Sequence, residues 1–234
     1  ELFSSNRSIT SHNDEVIPTE QPLNKILKIE IGGKNYTFVF KKELTLGKHR
    51  DCDFVSRLYE NGRATSELNE KISRFHCTLY RKDNTFFLHD GALNQQGQYN
   101  PSMHGTYVDN VKIDSHNGHK LTARHRVTLG GIYAQSKGVF NIDVYTHNFV
   151  STFTKEKSIS SYLTISDGKN YTLLVDDTIP LNSICPTLPH VELLYEENHF
   201  ILKGVQNRKI LQSNTTCSMA GCDLRVLHIG EDKQ

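Results

Sequence analysis

The chain has 234 residues, of which 36% are apolar and 23% are charged, and its formal net charge is +1. This composition is typical of a soluble globular protein with one or two domains. No apolar run approaches the roughly 18 to 20 residues that a transmembrane helix needs, and the chain lacks the basic excess of most proteins that bind duplex nucleic acid. Membrane-spanning and nucleic-acid-binding functions are therefore not expected.

The cysteines indicate the cellular compartment. There are five of them, an odd number, and no two have the C-x-x-C spacing of a zinc ribbon or a redox motif. Such a set favours reduced thiols in an intracellular protein over a disulfide framework. We therefore expect a cytoplasmic location.

The first predicted elements are a tail and a hairpin. Residues 1–23 are rich in Ser, Asn, Thr and Glu and have little apolar periodicity, so we expect a flexible tail. From Ile26 onward, apolar and polar residues alternate through residue 31. A Gly-Gly-Lys-Asn turn follows, and the alternation returns over residues 36–40. This pattern predicts a β-hairpin.

The same period of two continues along the first half of the chain. It recurs at residues 75–79, 86–88, 106–108, 127–129 and 140–144, and turn residues separate many of these runs. Short strands at this spacing predict an all-β sandwich. The connections at residues 57–71 and 91–101 are longer than hairpin loops, so both are candidate recognition surfaces, and the first could hold one helical turn.

The second half of the chain repeats parts of the first. Gly-Lys-Asn-Tyr-Thr occurs at residues 33–37 and again at 168–172, each time after an apolar alternation. Further on, residues 190–204 are similar to residues 76–91, and residues 225–230 are similar to 126–130. On this alignment the strand predicted at 140–144 has no counterpart. The second half is therefore either trimmed or completed by a borrowed strand, with an exposed edge as the consequence.

Three motifs lie at successive turns between the predicted strands. They are Leu-Gly-Lys at residues 46–48, Ser-Arg-Phe-His at 73–76 and Ser-Met-His-Gly-Thr-Tyr-Val at 102–108. This series resembles the forkhead-associated (FHA) domain, a reader of phosphothreonine peptides whose motifs are Gly-Arg, Ser-x-x-His and Asn-Gly-Thr-x-Val. The resemblance covers residues 27–144, about half of the chain.

The resemblance and the internal repeat together imply an all-β fold of tandem FHA-like sandwiches. We expect an FHA domain at residues 24–148, a joint at 148–157 and a degenerate FHA-like domain, complete or truncated, at 158–234. The second domain has Asn182 and Ser183 where the first has Gly47 and Lys48, so its cationic donors are lost. Its expected role is packing, or self-association through a protein-binding face.

The resemblance also implies a phosphopeptide site. Lys48 stands where the family has its phosphate-binding arginine, and Arg50 is a possible substitute two residues on. His104 stands where the family has an asparagine that hydrogen-bonds the peptide backbone. The expected phosphopeptide-binding residues are Lys48, Arg50, Ser73, Arg74, Met103 and His104.

Four further residues are implied as structural support for the site. Gly47 lets the backbone come close, and His76 matches a family histidine that braces the binding loops from beneath. Gly105 and Thr106 match the turn that holds the third loop. One departure matters, because a lysine at position 48 supplies a point charge in place of a bidentate fork. The alternative is that Lys48, Arg50 and Arg74 are solvated charges on a scaffold that no longer reads phosphate.

Metal and catalytic sites are not expected. Neither the histidines at positions 116, 119 and 125 nor Cys217, Cys222 and His228 have the spacing of a structural zinc site. The sequence contains no nucleophile elbow, Walker loop, kinase segment or H-E-x-x-H motif. We therefore expect no cofactor and no enzymatic activity.

Two functions follow from the resemblance. The first is an intracellular signalling module that binds a phosphothreonine-containing segment of a partner protein. The second is a phosphate-independent assembly domain, because FHA-like folds without a pocket occur in ring-forming parts of bacterial secretion machines. The Asp90-Gly91 turn, Gly97 and Ser102 resemble some bacterial FHA proteins, which favours a bacterial signalling protein.

Overall fold

The computed structural model describes residues 25–67, 69–93, 99–114, 117–131, 139–150, 159–166, 170–188, 190–204, 207–219 and 222–230. The predicted tail lies outside these residues. Within them the protein is all-β, as predicted, and the one regular helical element is a 3₁₀ turn at Leu181–Ser183. The same residues include no helix with the length and apolar character that crossing a membrane requires.

The first half of the chain forms thirteen strands. They are β1 (Ile26–Ile31), β2 (Lys34–Val39), β3 (Glu43–Gly47), β4 (Phe54–Val55), β5 (Cys77–Lys82), β6 (Thr85–Asp90), β7 (Ala92–Leu93), β8 (Tyr99–Asn100), β9 (Thr106–Val108), β10 (Val111–Lys112), β11 (His119–Leu121), β12 (Arg124–Leu129) and β13 (Phe140–Val150). The predicted hairpin is β1 and β2, and the predicted strands near residues 77, 87, 107, 128 and 142 are all present. The described part of the 57–71 loop contains turns but no helix.

The second half contributes the remaining eight strands. They are β14 (Ile159–Ser166), β15 (Asn170–Leu174), β16 (Thr178–Pro180), β17 (Glu192–Glu196), β18 (His199–Lys203), β19 (Arg208–Ile210), β20 (Thr216–Met219) and β21 (Cys222–Ile229). The joint expected at 148–157 begins later than predicted, because residues 148–150 continue β13 and pair with residues 159–161 of β14.

One ten-stranded sheet runs through both halves, in the order β10-β9-β12-β13-β14-β15-β2-β1-β21-β20. A five-stranded sheet, β11-β6-β5-β3-β4, covers one of its faces and encloses the first core. A four-stranded sheet, β16-β17-β18-β19, covers the opposite face and encloses the second core. We call these two units the first and second sandwich.

Each sandwich contains the hairpin that begins the other half of the chain. Leu163 and Ile165 of β14 are fully buried in the first core, whereas Leu27 and Ile29 of β1 are fully buried in the second core. The exchange occurs at the repeated motif, where β15 pairs with β2 in parallel and Tyr171 lies opposite Tyr36. Burial of apolar surface on both sides therefore joins the two halves.

The strand order of the second half corresponds to that of the first. The sheet order β16-β17-β18-β19 in the second half corresponds to the order β3-β5-β6-β11 in the first half. In the ten-stranded sheet, β21 pairs with β1 in the same way as β13 pairs with β14. Residues 225–229 lie in β21, which pairs with β1 and β20, whereas residues 126–129 lie in β12, which pairs with β9 and β13.

Candidate functional site

The first two predicted motifs lie side by side at one end of the first sandwich. The amide of Lys48 donates to the carbonyl oxygen of Ser73 over 3.1 Å, and the amide of His49 donates to that of Arg74 over 3.0 Å. A Cβ atom at Gly47 would overlap the carbonyl oxygen of Arg74. Only glycine therefore allows the two backbones to approach this closely.

Ser73 also joins the second motif to the third. Its hydroxyl accepts a hydrogen bond from the amide of Met103 over 3.2 Å, and its own amide donates to Nδ1 of His76 over 2.9 Å. The opposite ring nitrogen of His76, Nε2, donates to the carbonyl oxygen of Gly105 over 3.1 Å. A single serine and a single histidine thus hold three turns together.

His76 makes these contacts as a neutral imidazole. Its side chain is completely buried, and burial lowers its pKa below the ordinary value of 6.5. The bond to the Gly105 carbonyl and the charge of Asp90 oppose that effect, while His104 and Lys48 add to it. The neutral tautomer with its proton on Nε2 satisfies both hydrogen bonds at once.

Asp90 supports the third turn, a role that the sequence analysis did not assign. Its carboxylate is buried and accepts hydrogen bonds of 2.6 Å from both the Ser102 and the Thr106 hydroxyls. The Ser102 hydroxyl in turn accepts from the amide of Gly105, whose φ of +81° favours glycine. The signal available in the sequence was an acid followed by hydroxyl residues twelve and sixteen positions later.

The long loop at 57–71 is fixed against Lys48. The Nζ atom of Lys48 donates to the carbonyl oxygen of Asn69 over 2.9 Å. The buried Asn69 side chain bonds both the amide and the carbonyl of Leu58, and also the carbonyl of Thr65. Lys48 is half-buried, and among the described residues the Asn69 carbonyl is the one acceptor for its three ammonium protons.

The remaining predicted residues are exposed at the rim. The side chains of Arg74 and His104 make no hydrogen bond or ion pair within the described residues, and Met103 is 83% exposed. The structure places Arg50 differently, because its guanidinium lies 3.7 Å from the carboxylate of Asp51 and is 72% exposed. The backbones of Lys48 and Ser73 are hydrogen-bonded to each other, and the carbonyl of Arg74 accepts from the amide of His49.

The described residues contain no group of three or more His, Cys, Asp or Glu side chains that could hold a metal ion. His125 uses both ring nitrogens within the protein, since Nδ1 lies 2.7 Å from the Asp109 carboxylate and Nε2 accepts from the amide of Thr122. The histidine at position 116 lies outside the described residues.

Asn182 and Ser183, the residues aligned with Gly47 and Lys48, lie in the 3₁₀ turn of the second sandwich. Ser183 accepts a hydrogen bond from the Tyr162 hydroxyl over 2.8 Å and donates to the carbonyl of Pro180 over 2.6 Å. The amide group of Asn182 lies 3.3 Å from Nδ1 of His190. These contacts join the 3₁₀ turn to its neighbours and leave neither residue with a positive charge.

The FHA domain family model matches residues 44–130. No curated protein matches the sequence. Among solved structures, the chain is similar to FHA-1 of Mycobacterium tuberculosis Rv1747, with 18% identity, coverage of 51% of this chain and 94% of that chain, and a TM-score of 0.30.

Two structures of a yeast protein are also similar. The FHA1 domain of yeast Rad53 has 16% identity, with coverage of 52% of this chain and 78% of that chain, and a TM-score of 0.33. The N-terminal FHA domain of S. cerevisiae Rad53p in complex with a phosphothreonine peptide has 14% identity, with coverage of 50% and 89% and a TM-score of 0.31.

Proposed function

Because residues 44–130 are an FHA domain, we propose that this protein is an interaction module whose first sandwich binds a phosphothreonine-containing segment of a partner protein. FHA domains are interaction modules rather than enzymes. A kinase acting on the partner would then control the association.

The observation that carries this proposal is the backbone pairing that places Lys48 beside Ser73 and His49 beside Arg74. Phosphothreonine has a charge of about −1.5 to −2 and three strong acceptor oxygens. Lys48 offers its ammonium group, Ser73 offers its hydroxyl proton, and Arg74 offers a guanidinium without a partner in the described part of the chain. Charged donors of this kind make the strongest hydrogen bonds to phosphate.

The other predicted residues take supporting roles in this proposal. Met103 and His104 are exposed beside Ser73 and would contact the peptide on either side of the phosphothreonine. Arg50 would act through its charge alone, since Asp51 already neutralises part of it. Gly47, His76, Gly105 and Thr106 would keep the loops in place.

The second sandwich has a different proposed role. Without cationic donors it would pack against the first sandwich or associate with another protein, including a second copy of the chain. We propose residues 24–148 and 158–234 as the two sequence units, although each completes its sandwich with a hairpin from the other. Cys52, Cys77, Cys185 and Cys217 are free thiols, which supports the proposed cytoplasmic location.

The test is phosphate-dependent binding of the full chain. An oriented library of phosphothreonine peptides selects the tightest sequence, and calorimetry then compares that peptide with its threonine and phosphoserine versions. We expect binding of the phosphothreonine form only, and a loss of about tenfold or more for Arg74→Ala. Arg225→Ala, an exposed arginine on β21, is the matched control. Equal affinities with and without phosphate would favour the phosphate-independent assembly function.

A further inference from the structure

A groove runs from the proposed phosphate site across the outer face of the five-stranded sheet. The residues that line it come from β3, β5 and β6, from β7 and β8, and from the turns that carry His49 and Arg74. Arg74 therefore belongs both to the groove and to the proposed phosphate site. We call this surface the outer groove.

The strand register shows which residues lie opposite one another along the outer groove. At its middle, Thr45 of β3 lies opposite Thr78 of β5, which lies opposite His89 of β6. Two residues further from the phosphate site, Glu43 lies opposite Tyr80. Alternate residues of these strands face the core, so the groove residues share the outer face.

Aromatic rings form one wall of the groove. The Tyr80 ring stacks on Phe87 at 5.3 Å and on His89 at 5.1 Å, and His89 lies 5.0 Å from Tyr99. Phe75, at the end next to Arg74, is 41% exposed. Exposed aromatic surface beside a polar floor is typical of protein recognition surfaces.

The charges differ at the two ends. Arg74 supplies an unpaired cation at the end next to the phosphate site, judged over the described residues. At the middle, Asp53 is neutralised by Lys41 at 2.7 Å. Glu43, at the far end, is exposed and has no ion pair with any described residue. Glu43 therefore presents a carboxylate without an ion-pair partner among the described residues.

The length of the groove fixes which peptide positions it can reach. Four residues of extended chain span about 13 Å, and residues two and four positions apart point to the same side. Gly47, next to the phosphate site, and Glu43 are four residues apart on β3. An extended peptide anchored at its phosphothreonine would place its fourth residue beside Glu43.

We propose that the outer groove binds the segment flanking the phosphothreonine and selects a lysine or arginine four residues away, through Glu43. The residue two positions away packs an apolar or aromatic side chain beside His89 and Tyr99. This inference rests on the proposed function, and it makes Glu43 a specificity-determining residue outside the three phosphate-binding loops.

The test uses the full chain and an oriented peptide library with a fixed phosphothreonine and four varied residues on each side. The wild-type protein is expected to enrich Lys and Arg about two- to fivefold at the fourth position on one side. Glu43→Lys reverses that preference toward Asp and Glu while retaining phosphate dependence. Glu197→Lys, an exposed acid in the β17–β18 turn, leaves the preference unchanged.

Two results would overturn the inference in distinguishable ways. The first result is phosphate-dependent binding with no charge preference at either fourth position, or with a preference that Glu43→Lys does not change. It would disprove peptide binding in the outer groove but not the proposed phosphate site. The second result is equal retention of the phosphorylated and unphosphorylated libraries, which would disprove both the outer-groove proposal and the proposed phosphate site. As a second measurement, removing the outer residues of the selected peptide should abolish its effect on the amide resonances of Thr45 and Thr78.

Discussion

The imidazole of His76 connects the second loop of the site to the third, and its Nε2 atom donates to the carbonyl oxygen of Gly105 over 3.1 Å. The opposite nitrogen accepts from the amide of Ser73. The ring is completely buried, so no water can replace either bond. The position of the Ser73 hydroxyl therefore depends on a residue that is out of reach of any ligand.

Replacing His76 with alanine should lower both stability and affinity. The change removes two buried hydrogen bonds, and we expect the free energy of unfolding to fall by about 2 to 4 kcal/mol. Urea denaturation and calorimetry with the selected phosphopeptide measure the two effects. His199→Ala, at an exposed strand position, is the control. Unchanged stability in the His76 variant would contradict the bracing role.

The lowered pKa of His76 predicts a dependence on pH. Below the unfolded value near 6.5, the unfolded chain binds a proton that the buried neutral imidazole does not, so the free energy of unfolding falls as the pH drops. Protonation of Nδ1 also removes the acceptor for the Ser73 amide. We expect affinity and stability to be constant above pH 7 and to decline together below about 6.5. An NMR titration in which His76 protonates above 6.5 would disprove this.

Gly47 should not tolerate a side chain. Because a Cβ atom there would overlap a backbone carbonyl, Gly47→Ala must push residues 73–76 away from β3. We expect a loss of about 1 to 3 kcal/mol of stability and at least tenfold weaker phosphopeptide binding. At Gly204 the nearest atoms to a Cβ are 3.8 Å away, so Gly204→Ala is the matched substitution. Similar melting temperatures for the two variants would argue against the close approach.

We expect the hydroxyl of Thr106 to contribute more to stability and to phosphopeptide affinity than its methyl group does. Thr106→Val removes one of the two hydroxyl donors to the buried Asp90 carboxylate, which also accepts from the amide of Ser102, and this should cost about 1 to 3 kcal/mol. Thr106→Ser keeps the donor and should retain phosphopeptide affinity. The comparison of valine with serine by thermal unfolding and calorimetry isolates the hydrogen bond. If the two variants behave alike, the Asp90 network does not hold the third turn.

The exchanged hairpins predict that core mutations act across the two halves of the sequence. Ile165→Ala should destabilise the first sandwich, and Ile29→Ala the second, each by about 2 to 5 kcal/mol. Hydrogen exchange should increase in β9 and β12 for the first variant, and in β18 and β21 for the second. Phosphopeptide affinity should fall for Ile165→Ala only. The opposite pattern would rule out the exchange.

Local patterns in the sequence were sufficient for the strands and for the three loop motifs. The alternation around Leu27, for example, predicted β1 correctly, because a strand with one buried face has a period of two. The same alternation does not specify which strand lies beside it. The pairing of β15 with β2 and of β21 with β1 depends on packing between residues more than 130 positions apart, so neither was predicted.

In the candidate site, too, local motifs were predictable from the sequence and contacts between distant segments were not. Gly47, Ser73, His76 and the Gly-Thr turn occur at recognisable spacings. The contact between Lys48 and the carbonyl of Asn69 depends on the path of a loop that has no repeating pattern. Arg50 was predicted as a phosphate-binding residue because it lies two positions after Lys48. In the turn after β3, its guanidinium lies 3.7 Å from the carboxylate of Asp51.

The parallel pairing of β2 with β15 also affects how the protein is made. The first sandwich needs Leu163, Ile165 and Leu174 to fill its core, and these residues are synthesised after all the predicted phosphate-binding residues. The nascent chain therefore completes its first sandwich only when residue 174 has left the ribosome. The hairpin of β1 and β2 gains its pairing with β21 only after β21 has been synthesised. A message truncated between the two halves would yield neither sandwich in its mature form.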